Sequence, residues 1–170
     1  LETAGIKYAI FDEVEPNPST ETCYKGAEVA KSIGAEAIVT VGGGSPMDVA
    51  KAVAILVTNG GDLDGYEGAD KFSNDPLPLI AIPTTAGTGS EVTPFAVITI
   101  KARNYKMTVL SNRILPRVAI LDPLVIGTVP APVAAACGMD ALTHAIEAFI
   151  NQVASPATDA MAVEAMRLIG

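Results

Sequence analysis

Residues 35–59 constrain the fold more than any other stretch of the chain. "AEAIVTV" is an apolar run of strand length, β-branched at its end. It has the pattern of a strand buried on both faces, as in a parallel sheet. It runs directly into Gly42-Gly43-Gly44-Ser45, and "PMDVAKAVAILVTNG" then follows with helical character. Ser45 is the expected N-cap, with Pro46 at the first helical position and Asp48 at the third, near the positive end of the helix. Glycines of this kind let backbone N–H groups approach an anion, and the helix start adds its dipole and free donors. Met47 stands where a Rossmann fingerprint needs its last glycine, and no Gly-Lys-Ser/Thr follows as in a Walker A loop. Taken singly, this turn could equally be a plain tight connection between strand and helix.

The rest of the chain repeats the alternation. "YAIFDEV" (residues 8–14) reads as a short strand leading into "EPNPS", and Ser19 or Thr20 can cap a helix running to Ile33, with Gly34 as its stop. Residues 59–78, rich in Gly and Asp, read as a loop. "LPLIAIPTT" is a second buried strand, "FAVITI" and "KMTVLS" a hairpin joined by "KARNY", and "RVAILD" (residues 117–122) one more strand. After Pro130 the chain becomes Ala-rich and helical. The expected fold is α/β, a parallel-sheet domain over residues 1–127, followed by the start of an all-α domain over residues 128–170.

A second Gly-rich turn changes the weight of the first. Thr84, Thr85, Thr88 and Ser90 bring hydroxyls, and Gly87 and Gly89 allow close approach, again directly after a buried strand. Ligands of open α/β sheets sit beyond the carboxyl ends of the strands. Two such loops at neighbouring strand ends suit one pyrophosphate, against the alternative of a loop that satisfies its own hydroxyls. Composition narrows the partner further. Hydrophobic residues make up 49% of the 170 and charged ones 18%, enough for a sizeable core and too apolar for a disordered tail. A net charge of −8 argues against a nucleic-acid partner. No apolar run approaches the roughly 18 residues of a membrane span, so no membrane partner is expected. Cys23 and Cys137 match no metal or disulfide spacing, which favours a reducing, cytoplasmic setting.

"GMDALTHAIEAFI" carries Asp140 and the only histidine, His144, four residues apart. On a helix the two side chains share a face, a spacing that lets a carboxylate and an imidazole hold one metal ion. Glu147 is near enough to support them. A helix-surface Asp–His pair without a metal is the commoner outcome for such a spacing taken alone. Met139, Leu142, Ile146, Phe149 and Ile150 read as packing residues.

Taken together, "FDEVEPNPS", "VGGGSPMDVAKA", "AIPTTAGTGSEVT" and "GMDALTHAIEAF" occur in an order and spacing that resemble the iron-containing (group III) alcohol dehydrogenases. The likeness is to the branch of lactaldehyde/propanediol oxidoreductases and butanol dehydrogenases, and it covers nearly the whole chain. The resemblance implies a dehydroquinate synthase-like dinucleotide-binding domain followed by a helical metal-binding domain. It implies that Gly43, Gly44 and Ser45 hold the pyrophosphate of NAD or NADP, that Thr84, Thr85 and Thr88 line the other side, and that Asn17 and Lys106 contact the cofactor. Asp140 and His144 match the first two metal ligands, with Fe²⁺ usual and Zn²⁺ sometimes found. Cys137 stands where a small Thr, Ser or Gly is usual, and is expected to be a buried small residue.

By the same resemblance the chain is a fragment, cut at both ends, because family members are more than twice as long and carry two further metal-binding histidines. The implied reaction is hydride transfer between a primary alcohol or diol and NAD(P), with a small alcohol or aldehyde as substrate and a homodimer as the assembly. Reaching an alkoxide at pH 7 costs roughly 12 kcal/mol, about 9 pKa units at 1.36 kcal/mol each. An imidazole of pKa about 6.5 cannot supply that, whereas a bound metal can. The chain alone is therefore expected to be inactive. The alternatives are a non-catalytic dinucleotide-binding module, a purely structural piece, and a zinc enzyme similar to glycerol dehydrogenase.

Overall fold

An extended segment becomes a strand only where a neighbour completes its hydrogen-bond ladder, and this decides which of the apolar runs are strands. The computed structural model describes residues Leu1–Gly170. In chain order they form α1 (Thr20–Ser32), β1 (Ile38–Gly42), α2 (Gly44–Asn59), β2 (Gly68–Ala69), β3 (Leu79–Pro83), β4 (Phe95–Ile100), β5 (Tyr105–Leu110), β6 (Val118–Ala119), α3 (Pro123–Ile126), α4 (Ala131–Ile150) and α5 (Pro156–Ile169). They group into two compact units: Leu1–Pro83 with Ser90–Asp122, and Thr84–Gly89 with Pro123–Gly170.

The first unit holds two small sheets. In one, β1, β3 and β6 lie side by side in that order, all parallel. In the other, β4 and β5 form the expected antiparallel hairpin, with β2 added parallel to β5. Helix α2 is mostly apolar, and nine of its residues between Met47 and Leu56 are buried. Val49, Val53 and Leu56 join Cys23 and Ala27 of α1 and Ile98, Met107 and Val109 of the hairpin in the main core. Ala50 and Ala54 pack with Leu79 of β3. Cys23 is fully buried, and burial pushes its thiol up to about 12.

Four local expectations change. Residues 8–14 form no strand, because no other segment pairs with them. Strand β6 keeps only two of its six expected residues, matching the short stretch of β3 it pairs with. Strand β1 is parallel as expected but not buried on both faces: Val39 and Val41 are 51% and 59% exposed, since α2 covers one face only. Helix α2 begins at Gly44 with Gly43 as its cap, so Ser45 lies inside the first turn rather than at the cap, and Pro46 is the third helical residue rather than the first. Proline fits there because the first N–H groups of a helix have no intrahelical acceptor in any case. Gly42 makes the corner possible: its φ is +152°, and a Cβ on it would come within 2.7 Å of the Pro46 ring.

The second unit is helical, and it exposes what the sequence pattern assigned to packing. Along α4 only Ala145 is buried, while Met139, Ile146, Phe149 and Ile150 are exposed. Cys137 is half-buried rather than buried. By length and composition α4 is also apolar enough to cross a membrane, contrary to the expectation from contiguous runs. Asp140 and Glu147 break the run without greatly lowering its average. Helix α5 opens on a capping box, in which Ser155 Oγ accepts from the Thr158 amide at 3.2 Å and Thr158 Oγ1 accepts from the Ser155 amide at 2.7 Å.

Candidate functional site

The two Gly-rich loops leave neighbouring strands at residues in register, since Gly42 of β1 pairs with Pro83 of β3. At the first, Gly43 has extended backbone (φ −85°, ψ −160°) and no side chain caps the helix behind it. The N–H groups of Gly43, Gly44 and Ser45 thus lie among the unpaired donors of a helix start. Asp48, expected to complement the dipole, instead faces inward. Its carboxylate accepts from Ser90 Oγ at 2.9 Å and from the Val97 amide at 3.2 Å, and burial raises its pKa.

The sequence reading missed the centre of that inward network. Lys51 is fully buried on α2. Its ammonium faces the carbonyls of Ser90, Thr93 and Phe95 at 2.7, 3.0 and 2.6 Å, and Ser90 Oγ at 2.8 Å. Burial lowers its pKa to about 8, offset in part by Asp48 and Glu91. Ser90, grouped by its hydroxyl with the cofactor-loop threonines, is buried here and ties the 90–97 segment to α2. A lysine inside an apolar run was the one available signal.

Asn17 and Lys106 are 89 residues apart in sequence, yet Lys106 Nζ donates to Asn17 Oδ1 at 2.7 Å. The register explains it. Thr99 pairs with Lys106 across the hairpin, and on its other side it bridges to Ser19, donating its amide to the Pro18 carbonyl at 2.7 Å. Asn17 itself has φ +54°, a conformation asparagine tolerates better than most residues.

In the second unit, Asp140 Oδ1 and His144 Nε2 lie 3.8 Å apart on α4, both about half exposed. That gap is less than twice a metal–ligand bond of about 2.1 Å, so one ion can reach both atoms. A carboxylate oxygen and an imidazole nitrogen suit a borderline divalent ion. Glu147 does not join them, and no group of three His, Cys, Asp or Glu residues forms anywhere in the chain. Thr85 lines a small cavity of about 140 Å³ with Ala86, Ile126, Ala134, Cys137 and Gly138.

A parallel sheet with an uncapped glycine helix start at a strand's carboxyl end marks the first unit as a nucleotide-type α/β domain, and the second unit presents a carboxylate–imidazole pair on a helix. Comparison with known proteins makes this specific. The model of the iron-containing alcohol dehydrogenase family matches residues 1–123, and that of the family's C-terminal region matches residues 134–170. The chain belongs to the iron-containing alcohol dehydrogenases. It is 45% identical over 169 residues to the NAD-dependent methanol dehydrogenase of Bacillus methanolicus, covering 99% of this chain and 44% of that protein. It is 48% identical over 169 residues to the 1,3-propanediol dehydrogenase of Citrobacter freundii, with the same coverage. The crystal structure of a 1,3-propanediol oxidoreductase matches with a TM-score of 0.94 at 48% identity, over 99% of this chain and 44% of that one. The chain thus spans less than half the length of these relatives.

Proposed function

We propose that this chain supplies the cofactor-binding surface and two metal ligands of a metal-dependent alcohol dehydrogenase. The reaction is reversible hydride transfer between a primary alcohol or diol and NAD or NADP. The observation that carries the reading is the Asp140–His144 pair, whose facing atoms at 3.8 Å are close enough for one divalent ion to bind both, in a chain of the iron-containing alcohol dehydrogenase family. Residues 1–127 form the cofactor domain in this reading, and 128–170 begin the helical one.

Each residue then has a task. The amides of Gly43, Gly44 and Ser45 hold the pyrophosphate, and Thr84, Thr85 and Thr88 line the cofactor with hydroxyls. Lys106, whose ammonium donates to Asn17 at 2.7 Å, would offer a positive charge to the cofactor's anionic part. Asp140 and His144 would hold Fe²⁺, or Zn²⁺ in its stead, and the ion would supply Lewis acidity for loss of the alcohol proton. Two ligands hold a divalent ion weakly, so the 170-residue chain alone is inactive, and alcohol-dependent NADH formation by it would overturn that part of the reading. A cytoplasmic location, a homodimeric assembly and the absence of nucleic-acid or membrane partners complete the proposal.

Calorimetric titration of the chain with NADH is the test. Micromolar binding is expected, with at least a tenfold loss in Lys106→Ala, while binding of Zn²⁺ disappears in Asp140→Asn. A folded chain that binds NADH but shows no metal binding would sink the dehydrogenase reading in favour of a non-catalytic nucleotide-binding module.

A further inference from the structure

The carbonyl of Gly87 lies 3.3 Å from Nδ1 of His144, while Nε2 of the same ring faces Asp140. A carbonyl oxygen can only accept, so this contact places the imidazole proton on Nδ1. In the neutral ring Nε2 then carries a lone pair that faces a carboxylate. Two acceptors facing each other repel unless a cation lies between them.

Gly87 is held in place by close approach to the helix. A Cβ at this position would lie within 3.0 Å of the Cα and carbonyl carbon of Cys137, and closer still to its carbonyl oxygen. All of these are backbone atoms of α4, which cannot swing aside as a flexible side chain can. Cys137, Asp140 and His144 are spaced i, i+3 and i+7, one face of the helix. The loop backbone therefore rests on the same face that presents the two ligands.

We propose that Gly87 is a positioning residue for His144. Its carbonyl fixes the ring as the Nδ1–H tautomer, so that Nε2 is the atom offered to a divalent metal, and its missing side chain is what lets the loop reach the helix. The proposal rests on the metal-dependent reading above. Partners of this kind on the far nitrogen of a metal-binding histidine commonly govern affinity by 10- to 100-fold.

Because His144 is the only histidine, long-range ¹H–¹⁵N correlation spectra of the uniformly labelled 170-residue chain report this one ring. At mildly alkaline pH the expected spectrum shows a protonated Nδ1 and an unprotonated Nε2. Added Zn²⁺ should shift Nε2. In Gly87→Ala the tautomer preference is expected to collapse toward a mixture, and the zinc midpoint to rise about 10-fold or more. Asp140→Asn, which leaves the loop contact intact, should keep the Nδ1–H tautomer while losing the zinc response. That arm stands even if Gly87→Ala fails to fold.

A wild-type ring protonated on Nε2 would overturn the proposal. So would a folded Gly87→Ala chain with unchanged tautomer and zinc midpoint. A ring with the expected tautomer that ignores zinc would instead defeat the metal reading on which the proposal rests, and the two failures are distinguishable in one spectrum.

Discussion

Helices α2 and α4 have similar apolar content and opposite fates. Nine of the 16 residues of α2 are buried, from Met47 to Leu56, whereas α4 buries only Ala145 among its 20. The first helix finds its neighbours, α1 and the two sheets, within this chain. The second leaves Met139, Phe149 and Ile150 exposed. Apolar burial contributes roughly 25 cal/mol per Å², so the folding free energy is concentrated in the first unit. The candidate metal ligands lie on the unit that has little of it.

The sharpest way to break this contrast is at Lys51. Replacing it by Met leaves the carbonyls of Ser90, Thr93 and Phe95 without their donor and should cost about 3–5 kcal/mol, the usual consequence of removing one member of a buried polar network. Urea unfolding would measure it, and a loss under 1 kcal/mol would show that the network contributes little. The wild-type chain gives an independent check through pH. With a pKa of about 8 when folded and about 10.4 when unfolded, Lys51 is protonated in both states below pH 8. Between those values the unfolded chain binds its proton more tightly, so stability rises with pH by up to about 3 kcal/mol. Loss of that slope in Lys51→Met would assign it to this residue.

The next effect compares equal truncations in the two helices. Ile55 on α2 is fully buried, and Ile146 on α4 is 43% exposed. Ile55→Ala should cost about 2–5 kcal/mol through lost burial and a cavity, and Ile146→Ala about 0.5 kcal/mol or less. Equal losses in urea unfolding would mean that α4 is as well packed as α2.

The same contrast explains what could be read in advance. β1, β3 and the hairpin were legible because apolar runs and turn residues fall where a ladder can form. Residues 8–14 have an equally apolar pattern and no partner, and a partner's presence is not a local property of sequence. Asp140 and His144 were legible as a pair because helical spacing alone brings them to one face. The convergence of Lys106 on Asn17 depends on strand register, and the seating of Gly87 on Cys137 joins positions 50 residues apart. Those two contacts had no local signal. Lys51 had one, a charge in an apolar run, and its partners could be known only once the 90–97 segment was placed.

The smallest expected effect separates two helix starts. At α1, Glu15 accepts from the Ser19 amide at 3.2 Å, from Ser19 Oγ at 2.8 Å and from Thr22 Oγ1 at 2.6 Å. The Thr22 hydroxyl foremost, then that of Ser19, hold its carboxyl down at about 2. At α5 the corresponding partners, Ser155 and Thr158, are neutral. A carboxylate with a depressed pKa contributes stability that is complete above its unfolded value, about 4.3, and is lost as pH falls through about 2. Glu15 is a third exposed, so solvent screening brings its contribution down to about 1 kcal/mol. Lowering the pH from 5 to 2 should therefore speed amide exchange at Thr22, relative to its own chemical rate, by about fivefold while leaving Thr158 unchanged. Glu15→Gln should abolish that difference. Equal loosening at both helix starts would mean that acid acts on the chain as a whole, not through this carboxylate.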